Sequence, residues 1–216
     1  MESTLRRGAG APGLRLIETL GWDGAGFARL QLHLARLAAS AACLGWVCDL
    51  GAVHAALTGA VRDTPVRVRL TLDAGGDLSV TLAAMPPQAV QWRVGLAATR
   101  LSSTDPWLSL KSTNRTAYDT ARAQLPSGLD EVIFQNERGE VCDGTISTVF
   151  FDAGQGLCTP PLACGLLPGV LRAEMLETGK AREAVLHAAD LGRVQLWLGN
   201  SLRGLIPAVF MDQIEA

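Results

Sequence analysis

The sequence predicts an α+β chain built of two domains, and three observations carry that prediction. Residues 66–72 alternate Val66, Val68, Leu70 and Leu72 with Arg67, Arg69 and Thr71, the two-residue period of a strand with one buried face. Residues 31–44 instead bring Leu34, Leu37, Ala38, Ala41 and Leu44 round at helical spacing, so that one stripe of a helix faces a core. Further on stands Met85-Pro86-Pro87-Gln88, whose prolines neither donate a backbone hydrogen bond nor continue a helix. It marks a boundary between a small domain over 1–87 and a larger one over 88–216.

Taken in order, residues 1–13 carry two arginines followed by Gly, Ala and Pro, and read as a loose tail. Leu14 to Thr19 form a short strand, Gly21 to Gly26 a turn, and Phe27 to Leu30 a returning strand ahead of the first helix. Asp49 is an N-cap for a second helix with Leu50, Val53, Leu57 and Val61 on one face. The strand of 66–72 turns at Asp73-Ala74-Gly75-Gly76-Asp77 and returns through Leu78, Val80 and Leu82 as a hairpin.

In the second domain, Trp92, Val94 and Leu96 make a strand that runs into the loop of 102–106. A helix over 114–125 turns Ala117, Tyr118, Ala121 and Leu125 inward, and Tyr118 reads there as a core residue. A hairpin of 130–135 and 140–142 turns at Asn136-Glu137-Arg138-Gly139, and 145–152 with 157–159 extend the sheet. A helix over 169–177 follows Pro168, and 194–198 and 205–209 supply the last strands.

Hydrophobic residues make up 48% and charged residues 19% of the 216 positions, enough for a real core. A net charge of -2 gives no electrostatic ground for a nucleic-acid or anionic-membrane partner. No run approaches the roughly 18 apolar residues of a membrane span, and residues 1–13 lack the apolar core of a secretion signal. Five cysteines form no C-x-x-C pair, and with three scattered histidines they suggest no zinc site. Reduced, packed thiols fit a cytoplasmic location.

Three motifs bear chemistry. Leu110-Lys111-Ser112-Thr113-Asn114-Arg115 puts a lysine between an extended segment and a helix, where a lysine alone reads as a solvated surface residue. Glu140-Val141-Cys142-Asp143-Gly144-Thr145 ends on a carboxylate, with Ser147 close behind. Gly165-Leu166-Leu167-Pro168-Gly169-Val170-Leu171-Arg172 is a tight turn opening a helix, whose first amides attract an anion. Standing alone it would be an ordinary turn. Together, an amine, a carboxylate and an anion-binding turn are what pyridoxal phosphate asks of a protein: a covalent partner, a counter-charge for the ring nitrogen and a phosphate cradle. Arg36 falls beside the apolar stripe of its helix and by itself reads as a surface arginine.

In order along the chain, six segments carry a family likeness: His33-Leu34-Ala35-Arg36-Leu37, Lys111 with Asn114-Arg115, Asp130-Glu131-Val132 through Phe150, Thr159-Pro160-Pro161-Leu162, Leu167-Pro168-Gly169, and Asn200-Ser201 ahead of Pro207. The set resembles the class IV aminotransferases, the fold-type IV pyridoxal-phosphate enzymes. The resemblance implies their two-domain fold, like that of D-amino-acid aminotransferase, with a trimmed N-terminal domain. The family's opening strands and Gly-Asp-Gly turn ahead of Glu18-Thr19 are missing here or replaced by the short tail.

The resemblance further implies that Lys111 bonds to the aldehyde of pyridoxal 5′-phosphate and later shuttles a proton. Burial and a cationic neighbour would lower its pKa from about 10.4 toward neutrality. Asp143 would pair with the pyridine nitrogen, at a position where the family usually has the longer Glu. Phosphate contacts would come from Arg36 and from the helix start at Gly169, Val170 and Leu171, with Ser147 and Ser201 as hydroxyl donors. Asn200, Arg115 and Arg100 are the candidates for substrate recognition.

Within the family, Lys111-Ser112-Thr113-Asn114-Arg115 and Asn200-Ser201-Leu202-Arg203-Gly204 look most like the aminodeoxychorismate lyases. These include the lyase-like domains fused to aminodeoxychorismate synthase component I, which Trp22-Asp23-Gly24 also resembles. The implied activity is release of pyruvate and 4-aminobenzoate from 4-amino-4-deoxychorismate, a step of folate biosynthesis. A branched-chain or D-amino-acid aminotransferase is the alternative, and a weakly active cofactor-binding member a third reading. A small-molecule amino substrate and a homodimer are implied as well.

Overall fold

The computed structural model describes residues 2–212, which fall into two compact units. One holds the residues up to Pro87 together with 110–114, and the other holds 88–109 and the chain from Arg115 onward.

In the first unit, strands β1 (Leu16–Trp22), β2 (Val66–Leu72) and β3 (Leu78–Ala83) form an antiparallel sheet in that order. The alternation in β2 sends Val68, Leu70 and Leu72 into the core and leaves Arg67 and Arg69 exposed. Helices α1 (Glu2–Gly8), α2 (Leu30–Leu44) and α3 (Leu50–Ala60) complete the unit. α2 buries Leu34, Leu37, Ala41 and Leu44, the stripe its spacing predicts. α3 starts where Asp49 Oδ1 accepts from the amides of Gly51 and Ala52, at 2.8 and 3.1 Å.

Three expectations need correcting here. The supposed loose tail contains α1, because Leu5 and Ala9 are buried and Trp46 Nε1 donates to the Ala9 carbonyl at 3.1 Å. Phe27 to Leu30 is no strand: only Phe27 bridges back to Trp22, and α2 already begins at Leu30. Lys111 was expected in the second domain, yet its segment extends the first unit's sheet. Ile17 N–H donates to the Lys111 carbonyl at 2.8 Å, Ser112 bridges Leu16, and Thr113 N–H donates to the Arg15 carbonyl at 2.9 Å.

The second unit is built on eight strands: β4 (Trp92–Leu96), β5 (Glu131–Gln135), β6 (Val141–Gly144), β7 (Thr148–Asp152), β8 (Cys158–Thr159), β9 (Arg182–Glu183), β10 (Gln195–Asn200) and β11 (Gly204–Phe210). Their order is β10-β11-β4-β5-β6-β7-β8-β9, and β10 also pairs with β7, so six strands close on themselves and β8 and β9 extend one side. Closure removes the open edges that a flat sheet would expose.

Both faces of this sheet are covered. Trp92, Val94, Ile133, Val149, Leu198 and Ile206 pack on one side, while Val132 and Phe134 on β5 and Phe150 on β7 point to the other. Against that second face lie α4 (Thr116–Ala123) and α5 (Val170–Glu177). α4 is shorter than the expected 114–125, because Asn114 belongs with the first unit and Arg115, at φ -142 and ψ 35, is not yet helical. Among the described residues no helix is long and apolar enough to cross a membrane.

Candidate active site

The first unit holds a cluster of candidate residues around a buried carboxylate. Glu18 sits in β1 and is almost wholly buried. Arg36 donates to it twice, Nε to Oε1 at 2.9 Å and Nη2 to Oε2 at 2.6 Å. His33, one turn earlier on α2, places Nδ1 2.6 Å from the same Oε2. Burial works to raise the Glu18 pKa, but the Arg36 charge and the hydrogen bonds of His33 and Arg36 outweigh it and hold the carboxyl below its usual range. Burial lowers the His33 pKa, opposed by Glu18 and reinforced by the charges of Arg36 and Lys111. A neutral imidazole donating from Nδ1 to an ionised Glu18 is the consistent assignment. Lys111 itself is half-buried, close enough for its charge to act on His33.

In the second unit Asp143 lies in β6 and is buried. The Tyr118 hydroxyl donates to its Oδ1 at 3.1 Å and the Leu167 amide to its Oδ2 at 3.2 Å. Burial pushes its pKa up to about 7, opposed by the Leu167 amide and the Tyr118 hydroxyl, with Glu131 raising it and Arg115 lowering it. A carboxyl poised there can release or hold a proton at neutral pH.

The turn of 144–147 that follows is fastened from several sides. Glu131 on β5 is fully buried and accepts from the Thr145 amide at 3.1 Å, the Thr145 hydroxyl at 2.6 Å, the Ile146 amide at 3.2 Å and the Ser147 hydroxyl at 3.1 Å. Arg115 Nη2 donates to the Thr145 carbonyl at 2.7 Å, and Asn200 Nδ2 to the Ile146 carbonyl at 3.0 Å. Three of the residues expected in the site therefore meet at one turn. Arg115 also pairs with Asp119 through Nε, and Asn200 Oδ1 accepts from the amides of Leu202 and Arg203. Arg100 stands apart, exposed, with Nη1 on the Asn136 carbonyl at 3.3 Å.

Gly169, at φ -65 and ψ 141, is the N-cap of α5, and Val170 and Leu171 open the helix. A Cβ at Gly169 would come within 2.6 Å of Thr148 Oγ1, so the glycine is required for α5 to approach β7. Ser201 is buried in the turn between β10 and β11.

Glu18, Glu131 and Tyr118 are the polar groups that pattern reading passed over. The signal for the first two was a carboxylate in an apolar strand, after Leu16-Ile17 for Glu18 and ahead of Val132-Ile133-Phe134 for Glu131. For Tyr118, an inward-facing phenol needs a partner for its hydroxyl, which a plain core assignment leaves unexplained.

Residues 15–209 match the family model "Amino-transferase class IV". A Schizosaccharomyces pombe protein named "Putative aminodeoxychorismate lyase" is 33% identical over 213 residues, covering 93% of this chain and 91% of that one. A crystal structure of a "Putative amino-acid aminotransferase" from Mesorhizobium loti superposes with a TM-score of 0.86 at 45% identity, over 92% of this chain and 100% of that one. The Pseudomonas aeruginosa 4-amino-4-deoxychorismate lyase shares the fold, with a TM-score of 0.80 at 24% identity over 94% of this chain and 86% of that one. A match spanning both units, with Lys111, Asp143 and the Gly169 turn inside it, makes the chain a member of the class IV aminotransferase family.

Proposed function

We propose that this member of a pyridoxal 5′-phosphate-dependent class is a 4-amino-4-deoxychorismate lyase, releasing pyruvate and 4-aminobenzoate. The observation that carries the reading is the match to the Schizosaccharomyces pombe protein of that name along nearly its whole length. The residues present fit the cofactor. Asp143 is a buried carboxyl whose pKa burial pushes up to about 7, and its ionised form can accept a ring N–H. Val170 and Leu171 are the first residues of α5, where backbone amides can face an anion.

When bound, the cofactor supplies an electron sink for the bond broken beside the substrate amine. Lys111 would be the proton carrier in this scheme: its neutral amine would take the proton from the substrate's amine-bearing ring carbon and return one to the departing enolpyruvate, so that pyruvate leaves as the ring becomes aromatic. Asp143 would keep the pyridine nitrogen protonated, the amides of Val170 and Leu171 would face the phosphate, and Arg36 would supply positive charge for it. A homodimer is part of the same proposal.

A second reading, an amino-acid aminotransferase, is favoured by the Mesorhizobium loti structure of that name at 45% identity. It uses the same lysine, so products decide. The loaded enzyme is given aminodeoxychorismate, and pyruvate and 4-aminobenzoate are followed together. Their equimolar appearance is the expected result. Conversion of the bound cofactor to its amine form by branched-chain or D-amino acids, with no pyruvate from aminodeoxychorismate, would overturn the lyase in favour of the aminotransferase.

A further inference from the structure

Tyr118 is the single tyrosine of the chain, and its hydroxyl donates to Asp143. We infer that Tyr118 is a positioning residue for the ring-nitrogen partner: its hydroxyl fixes the orientation of the Asp143 carboxylate and favours its ionised form. The inference rests on the reading of Asp143 as the group that meets the pyridine nitrogen.

The phenol is held on two sides. Its ring meets Phe134 edge to face with centroids 5.0 Å apart, and the Arg115 guanidinium lies 5.4 Å from its centre. The hydroxyl stays protonated and so is the donor in this pair, because burial and the Asp143 charge push its pKa far up. With Leu167 N–H on Oδ2 and Tyr118 O–H on Oδ1, the carboxylate plane is fixed at both ends. Each oxygen still keeps a second acceptor direction for a ring N–H. An aspartate has one torsion fewer than glutamate and cannot re-aim as freely, so a fixed plane matters more here.

The other groups facing Asp143 are Glu131 from β5, Arg115 ahead of α4, and the adjoining Cys142 thiol, which burial keeps protonated. Of the two donors on the carboxylate, only the Tyr118 hydroxyl comes from a side chain. Without it the charged form loses a hydrogen bond, so Asp143 should titrate higher and pair less well with a cationic ring nitrogen.

The test compares wild type, Tyr118→Phe, Asp143→Asn and the double variant by absorbance titration with pyridoxal 5′-phosphate at pH 7.5. A carbon-13 carboxyl titration of the cofactor-free protein runs alongside, with the Asp143 signal assigned from its absence in Asp143→Asn. Tyr118→Phe is expected to bind the cofactor about tenfold more weakly and to raise the Asp143 midpoint by about half a unit or more. In the Asp143→Asn background it should change affinity less than twofold. An equal loss in both backgrounds, or an unmoved Asp143 midpoint, would overturn the inference. Should Tyr118→Phe fold poorly, 3-fluorotyrosine labels this one position in the otherwise native chain. Its fluorine-19 resonance must then move on cofactor saturation, and an unmoved resonance counts against the inference. Failure of wild type to bind the cofactor at all would instead sink the functional reading, which keeps the two outcomes apart.

Discussion

The guanidinium of Arg36 grips the carboxylate of Glu18 through Nε and Nη2 at 2.9 and 2.6 Å, and both groups are largely withdrawn from water. An arginine that reads as a surface residue in sequence is thus locked in one plane by a charge 18 positions earlier. Arg36→Leu would leave Glu18 ionised, buried and dependent on His33 alone. Urea unfolding at pH 7 should show a loss of about 3–5 kcal/mol. Adding Glu18→Leu should recover much of it, since two packed apolar groups replace the orphaned charge. A double variant no more stable than Arg36→Leu would contradict this account of the pair.

Asp143 gives a pH-dependent prediction whose sign follows from its raised pKa. The folded protein holds the Asp143 proton up to about pH 7, whereas the unfolded chain releases it near 3.8. Between these values the folded state binds the extra proton, so this group's contribution to stability falls as pH rises from about 4 to about 7. Cofactor-free Asp143→Asn should gain on wild type steadily across that window in thermal unfolding. A difference between the two proteins that stays constant with pH would refute the buried, near-neutral carboxyl.

Glu131 accepts on both oxygens, Oε1 from Val132 and Thr145 and Oε2 from Ile146 and Ser147. A glutamine has only one accepting end, so Glu131→Gln must abandon one of these sets. The expected cost is about 1–3 kcal/mol. Hydrogen exchange should quicken at the amides of Thr145 and Ile146, while amides of the β2–β3 hairpin stay as protected as before. Unchanged protection in the 144–147 turn would mean that Glu131 does not fasten it.

Gly169→Ala tests the close approach of α5 to β7. The added methyl would press on Thr148 Oγ1, displacing either that side chain or the start of the helix. A destabilisation of about 1–3 kcal/mol is expected, together with weaker pyridoxal phosphate binding in an absorbance titration. Thr148→Ala in the same protein should relieve the crowding and return part of both. If the second substitution restores neither, the contact is not what demands glycine.

Local pattern revealed most of the scaffold. The β2–β3 hairpin, α2 with its apolar stripe and the Asp49 cap of α3 all follow from two- and 3.6-residue periods and a capping residue. α1 escaped because seven residues carry little helical preference of their own, and burial of Leu5 and Ala9 is a tertiary effect. The motif residues were legible as types, yet their hydrogen-bond partners were not. Tyr118 meets Asp143 across 25 positions and Thr145 meets Glu131 across 14, and no short-range rule encodes such pairings. Lys111 was legible as a candidate while its unit was misassigned, because a main-chain bridge from Ser112 to Leu16 leaves no mark on side-chain pattern.

The central claim is that Lys111 carries the cofactor. The most direct measurement incubates wild type and Lys111→Ala with pyridoxal 5′-phosphate, reduces both with borohydride and maps the modified peptide by mass spectrometry. The account predicts a visible band in wild type that reduction abolishes, with one phosphopyridoxyl group fixed on Lys111, and no such adduct in Lys111→Ala. Modification of wild type at Lys180 or elsewhere with Lys111 untouched would contradict it, as would a stoichiometric adduct that survives the substitution.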